Sequence, residues 1–145
     1  MLERDGSLGV PQGAKDPIVR RHTRQGEAAI QLIIEPQEIK PGETITVRLV
    51  NRGEVDLLTG LPFYVQRRAG KEWVAAPWPK NSAFPLVGIP LPPGGSTKPQ
   101  RWPIDDVDAQ PGLYRVVKSA RYEDPNYARP EVLLTAHARF RVRTG

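Results

Sequence analysis

Proline or glycine occupies one position in five of this 145-residue chain, 16 prolines and 13 glycines. Between these breakers, apolar residues recur at every second position. That punctuation excludes long helices and favours many short strands. Ala28, Ile30, Leu32 and Ile34 share one face of the run 27–35, and Ile45, Val47 and Leu49 share one face of 44–51. Leu61, Phe63 and Val65 precede the Ala69-Gly70 turn, and Ala136, Ala138, Phe140 and Val142 alternate near the end. A period of two is the signature of half-buried strands. Further strands are expected over 72–76, 96–102 and 113–121. The Pro-rich stretch 77–93 leaves room for an edge strand at most, because proline donates no ladder hydrogen bond. Seven or eight strands so spaced predict an all-β, antiparallel β-sandwich over 27–145.

The strand expected at 113–121 follows a sharp bend. Pro111 fixes φ and Gly112 permits positive φ, and Tyr114 follows two residues after the glycine. In immunoglobulin-type sandwiches a tyrosine at this place sends its hydroxyl back to the upstream backbone and pins the corner between the sheets. Tyr114, Gly112 and Pro111 are therefore assigned a structural role. Val116 stands where antibody domains carry a cysteine, so apolar packing has to hold the core.

The chain is long enough to bury such a core without staples. It has no cysteine, which excludes disulfides, thiolate nucleophiles and cysteine-based zinc sites. No apolar run approaches the roughly 20 residues of a membrane helix. Neither a basic n-region nor an apolar h-region follows Met1, so no signal peptide is expected at this end. Residues 1–26 read as an extended basic tail or linker. Within it Ile18, Val19, Arg20 and Arg21 form a strand-like piece suited to the open edge of a neighbour.

Several segments in order resemble a known family: Leu32-Ile-Ile-Glu-Pro36, Lys40-Pro-Gly-Glu-Thr-Ile-Thr-Val-Arg-Leu-Val-Asn51, Gly60-Leu-Pro-Phe-Tyr-Val-Gln-Arg-Arg68, Glu72-Trp73, Leu91-Pro-Pro-Gly-Gly95, Pro111-Gly-Leu-Tyr-Arg-Val116 and Arg139-Phe-Arg-Val142. Together they resemble the bacterial immunoglobulin-like domains of actinobacterial and bacillar surface proteins and lipoproteins. More distantly they are similar to bacterial intracellular proteinase inhibitors of the same fold. The resemblance covers residues 28–143. It implies a domain without catalytic residues or cofactors.

The remaining candidates point the same way. Asp105, Asp106 and Asp108 lack the glycine and bidentate glutamate of a calcium loop and suit a turn. His22 and His137 are the only histidines, and nothing in the pattern brings them to a metal or a triad, so no metal site is assigned. No phosphate-binding or nucleophile-elbow motif occurs. The sharpest candidate is a basic face: His137, Arg139, Arg141 and Arg143 alternate outward, with Arg115, Arg121 and Arg68 expected on the same sheet. The bland alternative is a solvated face whose arginines discourage edge pairing. Nucleic acid is disfavoured, since aromatics are not interleaved with the basic row.

The expectation is a non-enzymatic structural or interaction module of a cell-surface protein, or of an assembly such as a filament or viral capsid decoration. Its partners are proteins or neighbouring copies of itself, with an anionic polymer as a further class. The alternative is a proteinase inhibitor using loop 77–93 or 122–131 as bait. Location follows the same division: extracellular or cell surface if a signal was removed, a viral or filament assembly otherwise.

Overall fold

A computed structural model describes residues 16–76, 88–104, 110–122 and 133–144. Every regular element in them is a strand: β1 (Val19–Thr23), β2 (Gly26–Glu35), β3 (Glu38–Ile39), β4 (Thr44–Asn51), β5 (Leu57–Thr59), β6 (Tyr64–Ala69), β7 (Glu72–Ala75), β8 (Ile89–Leu91), β9 (Gln100–Pro103), β10 (Gly112–Tyr122) and β11 (Leu134–Val142). One sheet has the order β1-β2-β4-β9. The other has the order β3-β11-β10-β5-β8, with β6 joined to β10 and β7 to β6. This is the immunoglobulin-like sandwich. The described residues hold eleven strands where seven or eight were expected, because β3 and β5 are too short to show a period of two and β1 lacks an apolar row.

The alternating rows fill the space between the sheets. Ile30, Leu32 and Ile34 of β2, Ile45, Val47 and Leu49 of β4, Tyr114 and Val116 of β10, and Ala138 and Phe140 of β11 are all buried. Phe63 adds an edge-to-face contact with Trp102 at 5.7 Å between ring centroids. The chain leaves β2 through a cis Glu35–Pro36 bond. It then joins the opposite sheet as β3, parallel to the end of β11.

Residues 19–23, expected as tail, pair antiparallel with β2 of the same chain from Val19↔Ile30 to Thr23↔Gly26. Thr23 closes that hairpin, donating from its hydroxyl to the Gly26 carbonyl at 2.7 Å. The strand-like piece expected to pair with a neighbour pairs instead with its own chain; Val19 packs on the core, and the rest of 19–23 is held by backbone pairing. Gln31, at the opposite parity to the apolar row of β2, is buried as well. Its amide donates to the Asp16 carbonyl at 3.1 Å and its oxygen accepts from Arg52 Nε at 3.1 Å.

After β4 the chain folds back onto β2. Arg52 N–H donates to the Ala29 carbonyl and Glu54 N–H to the Glu27 carbonyl. Gly53 lies so close that a Cβ there would meet Glu27 O at 2.4 Å and Ala29 N at 2.6 Å. The buried Asn51 side chain organises the turn. It accepts from Gly53 N–H and donates to the carbonyls of Val55 and Leu91.

Candidate functional site

The corner comes first, since it sets the height of β10. The Tyr114 hydroxyl donates to the Gln110 carbonyl at 2.7 Å. The ring is 1% exposed and stacks on Phe140 at 5.4 Å with an interplanar angle of 16°, a contact worth about 1 kcal/mol beyond burial. Burial also pushes the phenol pKa above its ordinary value. With Tyr114 inward, Leu113, Arg115 and Val117 face out.

Cross-strand register then assembles the outer face. Ala75 pairs with Gln66, Gln66 with Arg115, and Arg115 with Arg139. Alongside, Tyr64 pairs with Val117 and Val117 with His137, while Leu113 pairs with Arg141. Trp73 pairs with Arg68. These strands bring Arg68, Arg115, Arg139 and Arg141 onto one surface with Trp73 and Tyr64, and Tyr64 is 59% exposed.

Three members of the expected basic row behave differently. Arg143 is bound to Glu38, its Nε donating at 2.8 Å. Arg121 pairs with Leu58 at the far end of β10, about 20 Å from Arg115 at roughly 3.3 Å per strand residue. His137 has its pKa lowered, first by burial and then by the charge of Arg115, with Asp16 opposing and Arg139 adding a smaller lowering.

The rungs of β7, β6, β10 and β11 that carry the arginines hold no Asp or Glu. The carboxylates of Asp16 and Glu38 border the face along the outer edge of β11. Asp16 accepts from the Arg139 backbone N–H at 3.3 Å and from Gln37 at 3.4 Å. Its pKa is raised by burial, partly offset by that N–H and by the Arg139 and His137 charges. Arg115 and Arg139 stand directly opposite each other, an arrangement that costs a few tenths of a kcal/mol or more when nothing anionic intervenes.

Trp73 draws two of these charges together. The Arg115 guanidinium carbon lies 4.4 Å and that of Arg68 5.4 Å from its ring centroid, both within cation–π range. Arg115 Nε donates to Gln66 Oε1 at 2.7 Å, and Arg68 Nε donates to the Gly70 carbonyl at 2.9 Å. Burial lowers the pKa of Arg115, and the charge of Arg68 lowers it further.

A buried cation escaped the sequence reading. Lys118 is 2% exposed. Its Nζ donates to the carbonyls of Gly60 at 2.6 Å, Leu61 at 3.2 Å and Pro62 at 3.1 Å, and to Gln100 Oε1 at 3.3 Å. Burial pulls its pKa from 10.5 down to about 8. The signal was present, because Lys118 continues the inward parity of Tyr114 and Val116. The lysine ties the segment between β5 and β6 to β10 and β9.

The aromatic residues Trp102 and Tyr122 pack on the core. Ile18 and Val19 are half-buried, while Arg20 and Arg21 are exposed. Arg20 meets Glu27 at 3.1 Å, and Arg21 donates to the Leu133 carbonyl at 3.4 Å. Asp105, Asp106, Asp108, Trp78, Phe84 and Tyr127 lie outside the described residues, as do most of the bait loops 77–93 and 122–131. Among the described residues no helix is long and apolar enough to cross a membrane.

No curated protein matches the chain. Solved structures similar to it include the following three. A chaperone–tip adhesin complex of CFA/I fimbriae is 15% identical, with 79% of this chain and 58% of that chain covered and a TM-score of 0.47. A β-glucosidase from Erythrobacter marinus is 12% identical over 79% of this chain and 15% of that chain, with a TM-score of 0.37. The soluble domain of PmoD from Methylocystis sp. ATCC 49242 (Rockwell) is 12% identical over 81% and 92%, with a TM-score of 0.33. The chain thus spans little more than half of the fimbrial chain. The bacterial Ig-like domain family matches residues 26–132, most of the sandwich, and the chain belongs to that family.

Proposed function

We propose that this domain is a non-enzymatic interaction module, part of a surface protein or a subunit of a larger assembly, that holds an acidic protein partner on the outer face of β7, β6, β10 and β11. One observation carries this reading. Four arginines share that face with an exposed tyrosine and a tryptophan, and within β7, β6, β10 and β11 no carboxylate shares their rungs, Glu38 of β3 beside Arg141 lying at the border. A solvated face ordinarily mixes both signs of charge. A surface dominated by one sign, built on a sheet, steers and orients a partner of the other sign.

The arginines come without lysine on these rungs. Protein interfaces are enriched in Arg, Tyr and Trp and depleted in Lys, whereas attraction to a polyanion makes no such distinction. That composition favours a protein partner over an anionic polymer.

The test is chromatography on immobilised poly-L-glutamate with a salt gradient. Because the whole chain carries a net charge of +5, retention alone decides nothing. The reading expects Arg115→Glu with Arg139→Glu to elute at much lower salt than Arg20→Glu with Arg24→Glu, which changes the net charge equally on the β1 hairpin. Equal loss of retention in the two double variants refutes it.

A further inference from the structure

We infer that Arg68, Trp73 and Arg115 form a carboxylate clamp, the point on this face where an Asp or Glu side chain of the partner is seated. The inference rests on the proposed role of the face and adds a defined subsite and ligand chemistry to it.

Both guanidinium groups are already oriented. Each uses its Nε–H on an oxygen of this chain, Arg115 on Gln66 Oε1 and Arg68 on the Gly70 carbonyl. Each also lies against the same indole. An arginine held at Nε, with its guanidinium carbon over an indole ring, has its terminal NH2 groups left for a ligand. Among the described residues, no acceptor is bound to those terminal groups of Arg68 or Arg115. Two positive planes beside one ring repel each other, and Arg68 accordingly helps to lower the Arg115 pKa. An anion between them removes that repulsion and accepts paired N–H donors. The planar fork of a carboxylate fits the edge of a guanidinium, and Trp73 excludes water from one side.

Arg139, directly across from Arg115, adds charge without being held. Exposed Tyr64 offers the partner an aromatic anchor one rung away. The occupant is therefore an acidic segment of a folded or extended protein. A phosphate- or sulfate-bearing chain would use the same charges, and its binding is an outcome of the test.

The experiment follows the Trp73 indole N–H and the arginine Nε–H resonances by NMR during titration of the full chain with hexaglutamate, and in separate arms with tripolyphosphate and a heparin oligosaccharide. Hexaglutamate should shift Trp73 and Arg115 saturably. Arg115→Lys, which keeps the charge but loses the fork and the Gln66 contact, should weaken binding about tenfold with an unchanged melting temperature. Trp73→Phe serves as a second variant that keeps an aromatic ring and should weaken binding less. Hexaglutamate binding that Arg115→Lys leaves unchanged overturns the clamp while the face remains a docking surface. Tighter saturation of the same resonances by tripolyphosphate or heparin than by hexaglutamate overturns the carboxylate assignment in favour of an anionic polymer. No saturable shift with any probe overturns the clamp and the docking face together.

Discussion

Lys118 offers the most exacting test of the core, because its effect on stability has a sign that a surface lysine cannot produce. The perturbation is Lys118→Met, which keeps an unbranched chain of similar length and removes the ammonium. In the native protein the lysine pKa falls from 10.5 to about 8 because the group is buried. At 1.36 kcal/mol per pH unit, the buried charge is disfavoured relative to the neutral amine by about 3 kcal/mol. Between pH 8 and 10.5 the native state has released its proton while the unfolded chain still holds it. The unfolded state then binds more protons, and stability rises with pH.

The expected gain is about 1.4 kcal/mol at pH 9 and about 2.5 kcal/mol at pH 10, relative to pH 7. The methionine variant lacks this gain. It also leaves the Gly60 and Pro62 carbonyls and Gln100 Oε1 without their Lys118 donor, whereas Leu61 O still accepts from the Gln100 amide at 3.0 Å. Three acceptors that lose a donor cost about 1–3 kcal/mol each, which balances or outweighs relief of the buried charge at pH 7. Urea unfolding of both proteins at pH 7, 8, 9 and 10 measures the difference, and other titrating groups cancel in it. Stability differences that stay constant across this range refute the assignment of a desolvated ammonium.

Tyr114→Phe should cost about 1–2 kcal/mol by leaving the Gln110 carbonyl without its donor; an unchanged denaturation midpoint would show that the corner is held by packing alone. Gly53→Ala should be more damaging than ordinary loop substitutions, since the new Cβ collides with backbone atoms of Glu27 and Ala29 at 2.4 and 2.6 Å; a melting temperature within a degree of the parent's contradicts the close approach of that turn to β2. His137 should titrate below its ordinary value of 6.5. The unfolded chain then takes up that proton first, so its contribution to stability declines as pH falls below about 6.5; an imidazole NMR midpoint above 6.5 counts against the burial and the arginine charges assigned to it.

Much of the sandwich was legible in the chain because its rules are local. A period of two marks which residues of β2, β4, β10 and β11 face inward, and proline and glycine mark where strands stop. The Tyr114 corner was legible too, as its hydroxyl and acceptor are four residues apart. The short strands have no such local mark. The strand-like piece at Ile18–Arg21 was expected on a neighbour's edge, whereas Val19–Thr23 pairs with β2 of its own chain, and β3 is two residues long; each is fixed by a partner strand that supplies its backbone hydrogen bonds.

The amino-acid sequence determined that this chain would build two sheets around an apolar interior, and that arginines would alternate outward from it. Tertiary structure decided which of those charges are available. Register across β7, β6, β10 and β11 gathers Arg68, Trp73 and Arg115 from separate strands, while Glu38, 105 residues from Arg143, takes that arginine out of the row. It also enclosed Lys118 in carbonyls from a loop 56 to 58 residues away. The physical reason is one of range. Side-chain parity is set by each residue's own backbone, but the charges and acceptors that meet across a sheet depend on how strands far apart in the chain are aligned.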